Sequence, residues 1–211
     1  MLANVLSLDR FDFLNSLKII MDRSDQKPLE FNVPKNLLVQ RSRVFARRES
    51  EDSLNTPYKL PAIWEEDFSR YLQLLYTDQV LLFSHEDNPT AKQAWTAACD
   101  LLLLSQHFGD VKSENLVSDA IIRMLDGGLS CQAAAKLVRG STPQKPRQIL
   151  LDFVVEKLGA GDIPPDLHQS ADGVALLHEA VTELSKRKQS GEQRPRQNTK
   201  EGMKRYHKSL E

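Results

Sequence analysis

The stretch FNVPKNLLVQRSRVFARRES, residues 31–50, changes period at a proline and limits what the rest of the chain can build. Before it, Leu29, Phe31 and Val33 alternate with polar residues, as do Leu17, Ile19 and Met21 further upstream. Alternation of this kind marks half-buried strands, and the polar DRSDQKP between the two runs makes a hairpin the natural connection. Pro34 has no N–H for a ladder, and its fixed φ suits a helix start. After it Leu37, Leu38, Val44 and Phe45 share one helical face, which predicts a single amphipathic helix running into the charged ESEDSLNTP loop. A hairpin that feeds a helix through a proline calls for a small sheet with helices packed on it, an α+β arrangement.

The remaining elements follow from the same rules. YKLP, residues 58–61, predicts a short third strand. Trp64, Phe68, Tyr71, Leu72 and Leu75 recur at helical spacing, behind Glu65, Glu66 and Asp67, which complement the helix dipole. The apolar QVLLF, Gln79 to Phe83, predicts a fourth strand. Thr90 is a predicted N-cap and Gly109 a left-handed stop for a helix that turns Ala91, Ala94, Trp95, Ala98, Leu101 and Leu102 inward. The next helix buries Val117, Ala120, Ile121 and Met124 and stops at Gly127-Gly128. Two shorter helices are expected in SCQAAAKLV and PRQILLDFVVEKL. Gly159-Ala160-Gly161 reads as a helix stop. A last helix, DGVALLHEAVTELSKRK, aligns Val174, Leu177, Val181 and Leu184.

Several function classes find no support in these residues. With 40% apolar and 27% charged residues in 211, a packed core is affordable and wholesale disorder is not expected. MLANVLSLDR lacks the basic start and cleavage pattern of a secretory signal, and no segment reaches the ~18 uncharged apolar residues of a membrane span. The expectation is an intracellular protein, cytoplasmic or nuclear, with no membrane partner. Cys99 and Cys131 lie in apolar helical contexts and read as structural thiols. His85, His107, His168, His178 and His207 are scattered. His178-Glu179 opens like a zinc-protease helix, but Thr182 stands where the second ligand belongs. Asp152 falls near an apolar surface of its helix without a partner base. No catalytic, cofactor or metal site is expected, and the partner-binding residues stay unassigned.

The net charge of −1 divides unevenly. Residues 186–211 carry +6 and the preceding residues −7. Lys186, Arg187, Lys188, Arg194, Arg196, Lys200, Lys204, Arg205 and Lys208 are positioned for phosphates or an import receptor, or form a solvated end with no specific task. Nucleic acid is otherwise not an expected partner.

Three phrases, VPKNLLVQRSRVFARR, LPAIWEEDFSRYLQLLYTDQV and LLLLSQHFGDVKSENLVSDAIIRML, stand in an order and spacing that resembles the BTB/POZ domain, above all the single-domain BTB proteins of filamentous fungi. Ser42 and Phe45 fall in the family's most recognisable phrase; Leu60-Pro61 and Leu75-Tyr76-Thr77 match two more. The resemblance implies a helix-rich α+β fold, a small mixed sheet flanked by helical hairpins. It places a BTB/POZ domain at residues 12–126, a helical extension at 127–188 and a basic disordered tail at 189–211. Phe45, Phe68, Leu72 and Leu75 would be core residues, each worth roughly 1.5–3 kcal/mol of burial. The implied function is non-catalytic association with other proteins, as a self-associating (homodimeric) adaptor for a cullin-3 type ubiquitin ligase. The alternative is a nuclear regulatory protein whose basic tail supplies localisation or nucleic-acid contact.

Overall fold

The computed structural model describes residues 15–22, 27–51, 56–61, 65–83, 90–127, 144–162 and 167–190. Strands β1 (Ser16–Asp22) and β2 (Leu29–Pro34) form the expected antiparallel pair, with Leu17 opposite Val33, Ile19 opposite Phe31 and Met21 opposite Leu29. The short β3 (Tyr58–Pro61) joins β1 in parallel, Met21 beside Leu60, so the sheet order is β2-β1-β3. A parallel neighbour needs a crossover, and the helices after Pro34 provide it.

Leu17, Ile19 and Met21 are buried on the inner face of the sheet. The outer face carries the Lys18–Glu30 pair at 3.0 Å and Lys59–Asp22 at 3.6 Å. This one-sided burial is what period-2 alternation demands of a sheet covered on one face.

The single helix expected after Pro34 is two. Helix α1 (Lys35–Arg41) ends at Ser42, whose extended backbone starts α2 (Arg43–Ser50). The Ser42 hydroxyl accepts from the Phe45 N–H at 3.3 Å and donates to the Phe108 carbonyl at 2.6 Å. That second bond is the reason for the break, because it ties the corner to a residue 66 positions away. Phe45 then enters an aromatic cluster, 5.3 Å from Phe108 and 5.0 Å from Tyr58, with Tyr71 4.9 Å from Phe108.

Helices α3 (Glu65–Thr77), α4 (Ala91–Phe108) and α5 (Val111–Asp126) follow. Thr90 caps α4 in a full capping box with Gln93, and Gly109 closes it at φ 63°, a conformation that favours glycine. Asp110 caps α5 through the Ser113 N–H. Helices α6 (Gln144–Gly159) and α7 (Ala171–Ser190) complete the described residues, joined through a 3-10 turn at Leu167–Gln169. Gly161 N–H donates to the Leu158 carbonyl at 3.0 Å and Asp162 N–H to that of Lys157 at 2.9 Å, ending α6 as expected. Every residue from Ile149 to Val155 is buried, and one apolar cluster continues from Leu17 in β1 to Ala180 in α7. The result is a helix-rich α+β fold with a small mixed sheet.

Two other expectations change. Residues 79–83 are not a strand: β2 and β3 are the sheet's edges, and Leu82 gives its carbonyl to Arg70 Nε at 3.1 Å rather than to a ladder. On α7, Val174 and Val181 are exposed, and Gly173, Leu176 and Ala180 are buried instead. Gly173 lies so close to the 3-10 turn that an added Cβ would stand 2.1 Å from the Leu167 carbonyl oxygen, so the contact selects the small face. Trp64, Cys131, Gly128, His85, His207 and the SCQAAAKLV helix lie outside the described residues. No described helix is long and apolar enough to cross a membrane.

Candidate functional site

The scattered chemical candidates stay scattered. Cys99 is buried in α4, and burial followed by the neighbouring Asp100 charge pushes its thiol up to about 12. His178 is exposed, and Glu179 is held by Arg147 at 2.6 Å. Burial lowers the pKa of His107, whose Nε2 lies 3.3 Å from Tyr58 Oη. Among the described residues no cluster of three or more His, Cys, Asp or Glu could hold a metal. Asp152 is buried and ion-paired with Arg187 of α7, which also binds Glu183 at 2.9 Å. Arg187 therefore belongs to the helix packing and not to the basic tail; residues 191–211 lie outside the described part.

A buried polar network links α1, α3 and α5. Asp110, fully buried, accepts from Arg41 Nε at 3.3 Å, Tyr71 Oη at 3.1 Å, and Ser113 through its N–H at 3.0 Å and its hydroxyl at 2.6 Å. Arg41 also reaches Ser113 Oγ at 2.8 Å and Asp78 Oδ1 at 2.7 Å, and Lys112 reaches Asp78 Oδ2 at 2.6 Å. Burial, with the Asp110 charge behind it, pushes the Tyr71 phenol well above its ordinary range. Burial alone would raise Asp78, but hydrogen bonds from Lys112 and Arg41 outweigh it and hold its carboxyl below its usual value. Asp78 has φ 55°, a left-handed conformation that Asp tolerates. It fixes the direction in which the chain leaves α3.

Two grooves open beside that exit. One, about 690 Å³, lies between α3 and α4 and is lined by Glu65, Glu66, Asp67, Arg70, Lys92 and Asp100, with Phe83 and Ala97 as its apolar part. The helix dipole explains why acidic residues start α3, but Asp67 is more than a dipole partner: it is buried and bound to Arg70 at 2.8 Å. Burial raises Asp67 against the opposing effect of Arg70; burial and then Asp67 raise Asp100. Arg70 is committed to Asp67, to Glu66 at 3.0 Å and to the Leu82 carbonyl. Sequence reading missed this juxtaposition. Its one signal was Asp100 inside the apolar run AACDLLLL.

The second groove, about 520 Å³, runs between residues 78–82 and α5. Val80, Leu82, Leu116, Ala120 and Met124 line it, with Asp78, Gln79 and Arg123 at the rim. Ala120 and Met124, expected in the core, are only half-buried and form the groove wall. Leu81 stands out from the same segment at 43% exposure. Large apolar side chains left together at a surface mark association sites more often than isolated ones do.

No protein-family model matches the chain, and no curated protein does either.

Proposed function

We propose that this chain is a non-catalytic protein–protein interaction module of the BTB/POZ kind, a self-associating adaptor that engages a cullin-3 type ubiquitin ligase scaffold. The observation that carries the reading is the apolar groove between residues 78–82 and α5, with Leu81 exposed beside it. A partner helix or segment inserting one Leu-sized side chain there would gain about 1.5–3 kcal/mol. That is tenfold or more in affinity. The family phrases fit this reading through their packing: Ser42 closes the α1–α2 corner and Phe45 fills the aromatic cluster.

The test is titration of the purified protein with the N-terminal region of a cullin-3 type scaffold by calorimetry, alongside the solution mass by light scattering. Binding is expected, and Leu81→Glu and Met124→Glu should weaken it at least roughly tenfold while the circular dichroism spectrum stays unchanged. Absence of binding removes the adaptor role. The module reading survives that result; a monomer removes self-association and makes surfaces on the later helices the better candidates.

A further inference from the structure

The main chain of residues 79–83 is almost wholly unpaired. The Gln79 N–H reaches Thr77 Oγ1 at 3.2 Å, and the Leu82 carbonyl accepts from Arg70 Nε at 3.1 Å. Among the described residues nothing else bonds to this backbone: the amides of Val80, Leu81, Leu82 and Phe83 and the carbonyls of Gln79, Val80 and Leu81 have no protein partner. Backbone groups of this kind, without a protein partner in a surface segment, stay open to solvent or to another chain. Burial alternates from Gln79 to Leu82, with Val80 and Leu82 packed against the core and Leu81 outward, as in an extended chain that ends at the bend of Phe83. In such a chain one residue directs its N–H and C=O to one side and the next residue to the other. The Leu82 carbonyl faces Arg70 of α3, so Leu81 presents its polar groups on the opposite edge.

The rim adds a charge preference. Asp78 is neutralised by Arg41 and Lys112. Arg123 is exposed, and its side chain has no ion pair among the described residues. The groove is therefore apolar inside and cationic at its edge.

We propose that this open edge takes up an extended peptide of a partner protein by strand addition, with apolar side chains at alternate positions in the groove and an acidic residue paired with Arg123. Main-chain bonds supply much of the affinity in this mode, and alternate side chains supply selectivity. A second copy of this chain matches less well, since its own QVLLF segment carries no charge to offer Arg123. The inference rests on the docking reading of the groove and specifies how the partner binds.

The probe is a phage library of random peptides, each about ten residues long, the upper range of a strand, selected on the full-length protein. Enriched peptides are synthesised and their binding is measured by fluorescence anisotropy. The expected winners alternate apolar residues and carry Asp or Glu. N-methylation of the pairing amides should weaken them roughly tenfold or more, since each removes a hydrogen bond and adds a clash. Arg123→Glu should cost about fivefold, regained by peptides carrying Lys in place of the acid. No enrichment, winners indifferent to N-methylation, or winners indifferent to Arg123→Glu would each overturn the proposal. So would a dimer that must dissociate before peptide binds, which would assign the edge to a second copy. If scaffold binding persists in any of these cases, strand addition alone has failed; if both are absent, the docking reading has failed with it.

Discussion

Replacing Arg41 by Met removes one cation from the interior and should cost far more than a surface ion pair. The Arg41 side chain is 11% exposed and that of Asp110 is 0% exposed, and their bond at 3.3 Å brings the only cation to that carboxylate among the described residues. Methionine replaces most of the stem volume, so the cavity contribution is small. Asp110 keeps Tyr71 and Ser113 as donors but loses its counter-charge. Removing one partner of a buried pair costs about 3–5 kcal/mol. Asp78 is 41% exposed and retains Lys112, so its share stays below about 1 kcal/mol. At roughly 2–4 °C per kcal/mol for a chain of this size, the melting temperature should fall by about 6–20 °C.

Urea unfolding followed by circular dichroism measures the loss, and a second substitution tests its cause. Asp110→Asn alone leaves Arg41 facing a neutral partner and should destabilise. In the Arg41→Met background the same change removes the stranded charge, so the double variant should be more stable than additivity predicts by over about 1 kcal/mol. A cost below about 1 kcal/mol for Arg41→Met, or strict additivity in the double variant, would refute the reasoning.

Asp100→Asn should stabilise the protein at pH 7. Burial and then Asp67 raise the Asp100 carboxyl in the folded state, so folding favours its protonated form. The charged form therefore costs stability at neutral pH, and the gain from Asn should shrink as pH falls toward the unfolded value of about 4. Because Asp100 is only half-buried, the gain at pH 7 should stay below about 1 kcal/mol; a loss at pH 7, or an equal gain at pH 4, contradicts this in a pH series of thermal melts. Gly173→Ala should destabilise by about 1–3 kcal/mol or more, because its Cβ would press on the main chain of Leu167, which cannot swing aside. Unfolding free energies from urea titration within about 0.5 kcal/mol of the parent's would show that the turn yields. Arg187→Met should cost about 3 kcal/mol by removing the Arg187 cation from buried Asp152; a chemical denaturation curve matching the parent's would refute a packing role for Arg187.

Local signals were legible in the sequence and distant ones were not. The hairpin, the switch at Pro34, the Thr90 cap and the Gly109 stop depend on residues a few positions apart, and each stands where periodicity and capping put it. The break at Ser42 depends on the carbonyl of Phe108, which no local pattern contains. QVLLF has the composition of a strand, but a strand exists only with a neighbour, and its carbonyl partner turned out to be an arginine side chain. On α7 hydrophobicity pointed to Val174 and Val181, whereas close approach of the Leu167 turn selected Gly173 for its size, with Leu176 and Ala180 buried beside it. The candidate site was the least legible part. Its groove walls were assigned to the core, its acidic neighbours were explained by the dipole, and its open backbone edge is a property of pairing that composition does not carry.

The protein places charge inside and apolar surface outside at the same corner of the fold, and the two choices explain each other. Arg41 joins α1 to Asp110 at the start of α5 and to Asp78 at the end of α3. A well-packed apolar substitute could be as stable, but it would not dictate where Asp78 sits or how the chain leaves α3. Asp78 is bonded from two sides and the Leu82 carbonyl by Arg70, so the segment is tethered near both ends with Leu81 turned outward. On the proposed docking reading, these tethers would pre-order the apolar edge and lower the entropy cost of binding.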